Sequence, residues 1–228
     1  MELSIDTSTG YASVCLSEEG SVRSSLSWFS KHNHSVELLP IIDNLLNFSG
    51  SSLEQISCIF VAKGPGRFSA LRVGMSVAKG LDMSQGIPIL GFSTLWLEAC
   101  VYREMGMPVC ALLDAGRNQM ASSLYDDREG GSGKVWKDQL VSIEDLVLGI
   151  KEPTIFCGEG VYNVASALKD KLGSKAIIKL PVYPTRDPSY LAKVGYEGYL
   201  KGIVDDVSSL EPVYLRGPSI TSPRITST

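Results

Sequence analysis

The sequence repeats one order of predicted elements twice, and this repeat limits the chain to two similar α/β units. Short alternating or continuous apolar segments predict strands, and longer segments of helical period predict helices. Residues 1–105 give three strands, a helix, a strand, a helix, a strand and a helix, and residues 106–216 give the same order. Each half opens with a strand that ends in an aspartate, Asp6 or Asp114, followed by a tight turn. A repeat of this size predicts two lobes built on one plan.

Two βββαβαβα lobes that face each other across a cleft are the plan of the actin-like ATPase fold, shared with Hsp70 and sugar kinases. We therefore predict an α/β protein with an N-terminal lobe over residues 1–105 and a C-terminal lobe over residues 106–216. The last predicted helix, over residues 188–201, either stays in the second lobe or returns to the first. Residues 217–228 are rich in Ser, Thr and Pro, and we expect them to form a disordered tail.

The net charge of −4 and the pI near 5.3 bear on nucleic-acid binding. Proteins that hold RNA alone usually carry a basic field, because phosphate neutralisation supplies most of the affinity. If the protein acts in RNA metabolism, we therefore expect a partner to make most of the contact with RNA. The five cysteines show no metal-binding spacing, and no apolar segment is long enough to span a bilayer. With no leader peptide evident, we expect a cytoplasmic protein with reduced thiols and no membrane contact.

The turns after the two aspartates are the candidate nucleotide contacts. In the actin-like fold such turns offer backbone N–H and hydroxyl groups to phosphates, and the aspartates hold Mg²⁺ through water. Here a serine replaces the expected glycine in the first turn, and an arginine replaces a small hydroxyl residue in the second. The residues are either vestigial nucleotide contacts or simple turn-capping groups, and we expect no cofactor. The set comprises Asp6, Thr7, Ser8, Thr9, Asp114, Gly116, Gly158 and Gly160.

Other kinds of site find little support in the sequence. The loop over residues 63–67 lacks the Walker pattern, and Ser69 stands where a dinucleotide-binding loop needs its third glycine. The spacing of His32 and His34 does not place two imidazoles on one helical face, and we interpret both as solvated surface residues. Because no nucleophile with a general base is evident, we predict no catalytic residue and no metal ligand.

The first two predicted helices carry more apolar surface than one sheet requires. In the helix predicted over residues 68–84, Ala70, Gly74 and Ala78 recur every four residues and form a smooth stripe. Glycine costs about 1 kcal/mol inside a helix relative to alanine, and close helix packing would explain Gly74. We favour pairing with another chain over simple burial against the sheet. The predicted contact residues are Leu38, Ile41, Leu45, Phe48, Arg67, Ala70, Leu71, Gly74, Met75 and Ala78.

Several motifs, in this order along the chain, resemble the TsaB (YeaZ) family. They lie at residues 6–9, 34–41, 64–74, 112–117, 158–160 and 212–216. The agreement extends over nearly the whole chain, and the stretch over residues 64–74 is its most specific part. Arg67 departs from the pattern, because the family more often has a small residue there.

The resemblance implies an actin-like fold without catalytic activity of its own. TsaB proteins pair with TsaD, a related transferase that places a threonylcarbamoyl group on N6 of adenosine next to the anticodon. TsaE, a small ATPase, joins this pair, and homodimers through the same two helices also occur. The metal-binding histidines of TsaD would fall near Thr94 and Glu98, so the resemblance implies a lost metal site and an incorrect older peptidase assignment.

Two other functions remain as alternatives. The first is an actin-like small-molecule kinase or ATPase that binds Mg-ATP between Asp6 and Asp114, which the degenerate turns disfavour. The second is a peptidase, for which neither a metal site nor a nucleophile with its base is evident. The resemblance instead implies a non-catalytic subunit that scaffolds and activates a TsaD-type transferase together with a TsaE-type ATPase. The substrates of the transferase would be tRNAs that read codons starting with A, and this chain would contact them only indirectly.

Overall fold

The computed structural model describes residues 1–128, 133–180 and 186–217. The predicted tail lies outside these ranges apart from Gly217. No helix within them is both long and apolar enough to cross a membrane. The first half contains β1 (Glu2–Asp6), β2 (Tyr11–Glu18), β3 (Ser21–Phe29), α1 (His34–Phe48), β4 (Cys58–Gly64), α2 (Phe68–Gln85), β5 (Ile89–Ser93) and α3 (Thr94–Cys100). The second half contains β6 (Val109–Asp114), β7 (Met120–Tyr125), β8 (Gln139–Val141), α4 (Ile143–Gly149), β9 (Thr154–Cys157), α5 (Val161–Leu172), β10 (Ala176–Ile178) and α6 (Pro188–Leu200).

The two sheets share one strand order, which confirms the repeat that the sequence predicts. The first sheet is ordered β3-β2-β1-β4-β5, and the second, read in the same sense, β8-β7-β6-β9-β10. In each sheet the first three strands pair antiparallel, and the last two extend the sheet by parallel pairing. Parallel pairing requires crossover connections, which the intervening helices supply. The opening strands β1 and β6 therefore lie in the centre of their sheets, and Asp6 and Asp114 end these central strands.

The largest difference from the predicted elements is the third strand of the second sheet, which is β8 rather than a strand around Val135. The backbone N–H groups of Val135 and Trp136 both donate to the Leu124 carbonyl, at 2.8 and 3.2 Å. Two residues thus face one on the neighbouring strand, and regular pairing is interrupted. The helix predicted over residues 94–104 also ends earlier, at Cys100.

Helices cover both faces of the first sheet. On β4, Ile59 and Val61 join the core under α1 and α2, whereas Cys58, Phe60 and Ala62 join the core on the opposite face. This alternation follows from the two-residue repeat of a strand.

Two helices connect the sheets. Helix α3 contributes Leu97 to the core of the first sheet, and Leu95 and Ala99 to the core of the second. Helix α6 follows the last strand of the second sheet but packs on the first, where Gly195 lies against the Phe60 ring. A side chain at residue 195 would overlap this ring, so the glycine permits the close approach. The chain therefore returns to the first sheet at α6.

The smooth stripe on α2 lies against the chain's own first sheet. Ala70, Gly74 and Ala78 are all buried, and the Thr7 hydroxyl donates to the Ala70 carbonyl at 2.7 Å. A Cβ atom at Gly74 would come within 2.5 Å of the Thr7 side-chain oxygen. The prediction that this stripe meets a helix of another chain is therefore wrong, because the end of β1 occupies that space.

Most of the other predicted contact residues are also buried in the first lobe. Phe48 is 84% exposed and Arg67 is exposed, while Ile41 is half-buried. Apolar periodicity identifies a helix face that is covered, but it does not tell whether a sheet or a partner covers it. The predicted contacts that the chain itself buries are Leu38, Leu45, Ala70, Leu71, Gly74, Met75 and Ala78.

Alanine substitutions at two glycines of α2 should have opposite effects on stability. Among the described residues, none outside the adjoining helix backbone lies within 4 Å of an added Cβ at Gly80, whereas a Cβ at Gly74 meets Thr7. We expect Gly80→Ala to raise the free energy of unfolding by about 1 kcal/mol, because alanine is the better helix former. Gly74→Ala should lower it by about 1–3 kcal/mol through overpacking. Urea denaturation checks both signs, and equal effects would contradict these surroundings.

Candidate functional site

The two hairpin turns that follow Asp6 and Asp114 border one cleft between the lobes. The cleft has a volume of about 420 Å³, within the range of small-ligand sites. Thr9 of the first turn lines it together with Asp114 and Gly116 of the second, and the loop before α2 adds Arg67. The structure thus brings parts of both predicted turns together, as the repeated topology leads one to expect.

The hydrogen-bond donors of the first turn bind acceptors of the protein itself. The Asp6 carboxylate accepts hydrogen bonds from the Ser8 N–H at 2.9 Å and from the Ser8 hydroxyl at 2.6 Å. The Thr9 hydroxyl donates to Glu159, and the Thr7 hydroxyl donates to the start of α2. Buried polar groups are nearly always satisfied in this way, and here their partners are protein atoms. These hydroxyl groups are therefore not directed at a ligand.

The guanidinium of Arg186 connects both lobes beside this turn. It pairs with Asp6 at the end of β1, with Glu98 on α3 at 2.9 Å, and with Glu159 after β9 at 3.1 Å. It also donates to the Thr9 hydroxyl at 3.2 Å. The Arg186 side chain is only 4% exposed and that of Asp6 only 2%. One buried cation thus joins the first sheet, the connecting helix and a turn of the second sheet.

Burial and charge compete within this cluster. Desolvation lowers the pKa of Arg186, but attraction to Asp6, Glu98 and Glu159 outweighs it, so that the pKa is raised overall. Burial raises the pKa of the Glu98 carboxyl to about 7, although Arg186 acts in the opposite direction. Three carboxylates around one guanidinium leave excess negative charge, and a proton on Glu98 relieves it.

The second turn is more open than the first because Asp114 is exposed. Its carboxylate accepts from the Gly116 N–H at 2.7 Å and from the Asn163 side-chain amide at 3.1 Å. Arg216, near the end of the described chain, donates to the Ala115 carbonyl at 2.6 Å. The C-terminal segment thus holds the second turn at the rim of the cleft.

Gly158 and Gly160 have a packing role in the turn between β9 and α5. Gly158 adopts a φ of 93°, and a Cβ there would overlap the carbonyl oxygen of Leu112 on β6. The Gly160 N–H donates to that same carbonyl at 2.9 Å. Glycine is needed at both positions because the turn crosses the backbone of β6 at contact distance.

The glycine-rich loop before α2 packs on the first turn. A Cβ at Gly66 would overlap the Ser8 carbonyl, and the Arg67 N–H donates to this carbonyl at 2.7 Å. Gly64 adopts a φ of 107° and lies against the backbone of Val213. The loop therefore fastens α2 and the C-terminal segment to the first turn.

His34 is buried, which corrects the interpretation of both histidines as surface residues. Its Nε2 atom lies 3.0 Å from the Thr9 carbonyl oxygen, so α1 also contacts the first turn. Burial lowers the pKa of His34. His32 is exposed, as the sequence predicts.

Sequence reasoning missed the residues that hold the cleft together. It identifies Glu98 only as a replacement for a metal-binding histidine, and it assigns no role to Arg186 or Arg216. No local motif marks Arg186, because one of 21 basic residues is recognised as buried only when its partners have assembled. Within the described ranges, no group of three or more His, Cys, Asp or Glu side chains is arranged to hold a metal ion.

Comparison with known proteins assigns the chain to a family. A family model described as TsaD, tRNA N6-adenosine threonylcarbamoyltransferase, matches residues 29–192. The tRNA threonylcarbamoyladenosine biosynthesis protein TsaB of Bacillus subtilis (strain 168) is 34% identical over 217 residues, covering 94% of this chain and 93% of the relative. The chain belongs to the TsaB family. YeaZ from Pseudomonas aeruginosa agrees in structure, with 25% identity, a TM-score of 0.76 and coverage of 94% of this chain and 100% of YeaZ.

Transferases of the TsaD type match this chain over a limited region. The tRNA N6-adenosine threonylcarbamoyltransferase of Solidesulfovibrio magneticus is 36% identical over 90 residues, which are 38% of this chain but only 24% of the transferase. The two kinds of protein are thus related, but the transferase is the longer chain. The ethanolamine utilization protein EutJ of Carboxydothermus hydrogenoformans shares the fold alone, with 10% identity and a TM-score of 0.54. The predicted actin-like fold with two similar lobes is confirmed.

Glu98→Gln should change how stability depends on pH. The pKa of Glu98 is about 7 in the folded chain, above its ordinary value of 4.5, so the folded state keeps a proton that the unfolded state has released. The contribution of protonated Glu98 to the free energy of unfolding is therefore fully present below about pH 4.5 and is lost as the pH rises through about 7. The glutamine amide needs no proton. The free energy of unfolding of Glu98→Gln should therefore rise relative to that of wild type by about 2–3 kcal/mol across this window.

Urea unfolding at several pH values between 4.5 and 8 measures this difference. The exposed residue Glu104 offers a matched control, and Glu104→Gln should follow the wild-type profile. A constant offset between Glu98→Gln and wild type would refute the pKa assignment.

Proposed function

We propose that this chain is a non-catalytic subunit in the formation of threonylcarbamoyl-adenosine on tRNAs that read codons starting with A. It would scaffold and activate a TsaD-type transferase, together with a TsaE-type ATPase. The names of the TsaB relatives support this pathway, and the match over nearly the full length of a TsaB protein supports the same role. The net charge of −4 favours a partner, rather than this chain, as the main contact for tRNA.

The pairing of Asp6 with Arg186 is the observation that carries the non-catalytic part of the proposal. A kinase of this fold needs its first aspartate to serve a metal, but here a guanidinium takes that carboxylate. The Ser8 N–H and hydroxyl, which would face a phosphate, both donate to Asp6. Vestigial nucleotide contact through Asp114 and Gly116 in the open second turn remains compatible with the cleft, but a complete Mg-ATP site does not.

The outer side of α2 is the surface that fits a helical partner. Ser69, Val73, Ser76, Gly80 and Met83 follow one another at intervals of four, three, four and three residues. This is the spacing of a seam between paired helices. Four of the five are exposed and Val73 is half-buried, so the seam lies beside the buried stripe that contains Gly74.

Gly80 is the strongest observation in favour of helix pairing at this seam. Glycine inside an exposed helix costs about 1 kcal/mol relative to alanine, and no described residue outside the adjoining helix backbone lies within 4 Å of an added Cβ there. Close approach of a helix from another molecule accounts for this cost. On the neighbouring α1, Val36 is 69% exposed and Leu39 is 55% exposed, which adds apolar surface. A second copy of the chain would fit the same surface, as a homodimer.

Gly80→Leu should abolish pairing with the TsaD-type partner while the fold is kept. The leucine side chain has free space in the isolated chain, but it would hold a partner helix away from the seam. Co-purification of tagged variants with the transferase, with affinity from calorimetry, measures the effect, and we expect at least a hundredfold loss, or about 3 kcal/mol.

Ser166→Leu is the matched control, because it adds the same side chain at an exposed position on α5 of the second lobe. This variant should pair as wild type does. Unchanged pairing by Gly80→Leu would refute the seam, and equal loss in both variants would point to a general effect of an exposed leucine.

Mg-ATP binding separates the proposal from the kinase alternative. We expect isothermal titration calorimetry of the full chain with ATP and Mg²⁺ to show no micromolar binding that depends on the metal, because Asp6 is already paired with Arg186. Micromolar binding that Asp114→Asn removes would instead establish an actin-like kinase or ATPase.

A further inference from the structure

The oxygen atoms around Arg186 form a cation site that the chain fills by itself. The guanidinium is in contact with carboxylate, hydroxyl and backbone carbonyl oxygens. Its printed partners are Asp6, Glu98, Glu159, Thr9 and the Tyr11 carbonyl, the last at 3.1 Å. An arginine donates five N–H groups in one plane, and this set of acceptors matches that demand.

A metal does not fit this arrangement, although the fold implies one near Asp6. Mg²⁺ needs near-octahedral oxygen ligands at about 2.0–2.1 Å. The carboxylates here stand around a guanidinium, and no three acidic groups of the described residues are close enough to share an ion. Solvent hardly reaches the central ion pair, because the Arg186 side chain is only 4% exposed and the Asp6 side chain only 2%.

We infer that this pocket is a guanidinium site, selective for a planar organic cation over a divalent metal, in which Arg186 acts as the resident ligand and fastens the lobes without nucleotide. The inference deepens the proposed loss of Mg-ATP chemistry and does not rest on pairing with a transferase. The three acids come from β1, α3 and the turn after β9, so the site is complete only when both lobes are in place.

Removing the ligand while keeping the site gives a direct test. Arg186→Gly leaves the carboxylates of Asp6, Glu98 and Glu159, whose side chains are 2%, 10% and 18% exposed, without their cation. We expect the thermal midpoint of unfolding to fall by about 10 °C. Guanidinium chloride or methylguanidine at low millimolar concentration should restore a large part of this fall. Equal ionic strength of sodium chloride, and millimolar MgCl₂ or MnCl₂, should not.

Arg128→Gly is the matched control, because Arg128 pairs with two carboxylates on the surface, where its side chain is 41% exposed. It should lose little stability and respond to no added cation. Arg186→Lys is a second variant in case the glycine form does not fold. Lysine keeps the charge but not the planar set of donors, so we expect an intermediate midpoint that guanidinium does not raise.

Three outcomes would overturn the inference. They are an Arg186→Gly midpoint equal to that of Arg128→Gly, restoration by Mg²⁺ or Mn²⁺ as strong as that by guanidinium, and an Arg186→Lys midpoint equal to wild type. Each is separate from the proposed function, because wild-type chain without Mg-ATP binding would still support a non-catalytic role. Conversely, Mg-ATP binding by wild type would refute that role whatever the variants do.

Discussion

The ion cluster around Arg186 is the interaction on which the cleft depends. A lone buried charge is costly, and only close pairing with several hydrogen bonds offsets the loss of water. The guanidinium tolerates burial because Asp6, Glu98 and Glu159 surround it, and those carboxylates tolerate burial because of the guanidinium. Since the partners come from distant parts of the chain, the cluster forms only in the folded protein. It therefore favours one relative position of the two sheets.

The sequence predicts much of the fold because the repeat is strong at the level of single strands. Alternation and turn residues place β1 and β6, and with them Asp6 and Asp114, close to their observed ends. What the cleft contains is not predictable in this way. Whether Asp6 serves a metal or an arginine depends on Arg186, which is 180 residues away in sequence. The sequence thus predicts where the cleft lies. That Arg186 pairs with Asp6 in it follows only from charge pairing between distant parts of the chain.

Helix α2 shows a different limit of sequence reasoning. Its residues fall on two neighbouring stripes, one with Gly74 and one with Gly80, and both contain small side chains. Periodicity detects both stripes, but only the position of Thr7 at the end of β1 shows that the first is covered from within. The same holds for α6, whose apolar face alone does not tell which sheet it joins. Here tertiary packing decides what local pattern leaves open.

A cleft that is fastened from within changes where a partner can act on this fold. Arg186 joins the lobes in the interior, and at the rim the C-terminal segment joins them again, with Val213 bonded to Lys63 and Arg216 to Ala115. The proposed seam on α2 lies on the opposite face of the first sheet from α6, away from the lobe contact that Arg186 makes. Ligands in the cleft would reach that seam only through the N-terminal end of α2, where Phe68 lines the cleft. Substitutions around Arg186 should therefore act through stability, and those on the seam through association.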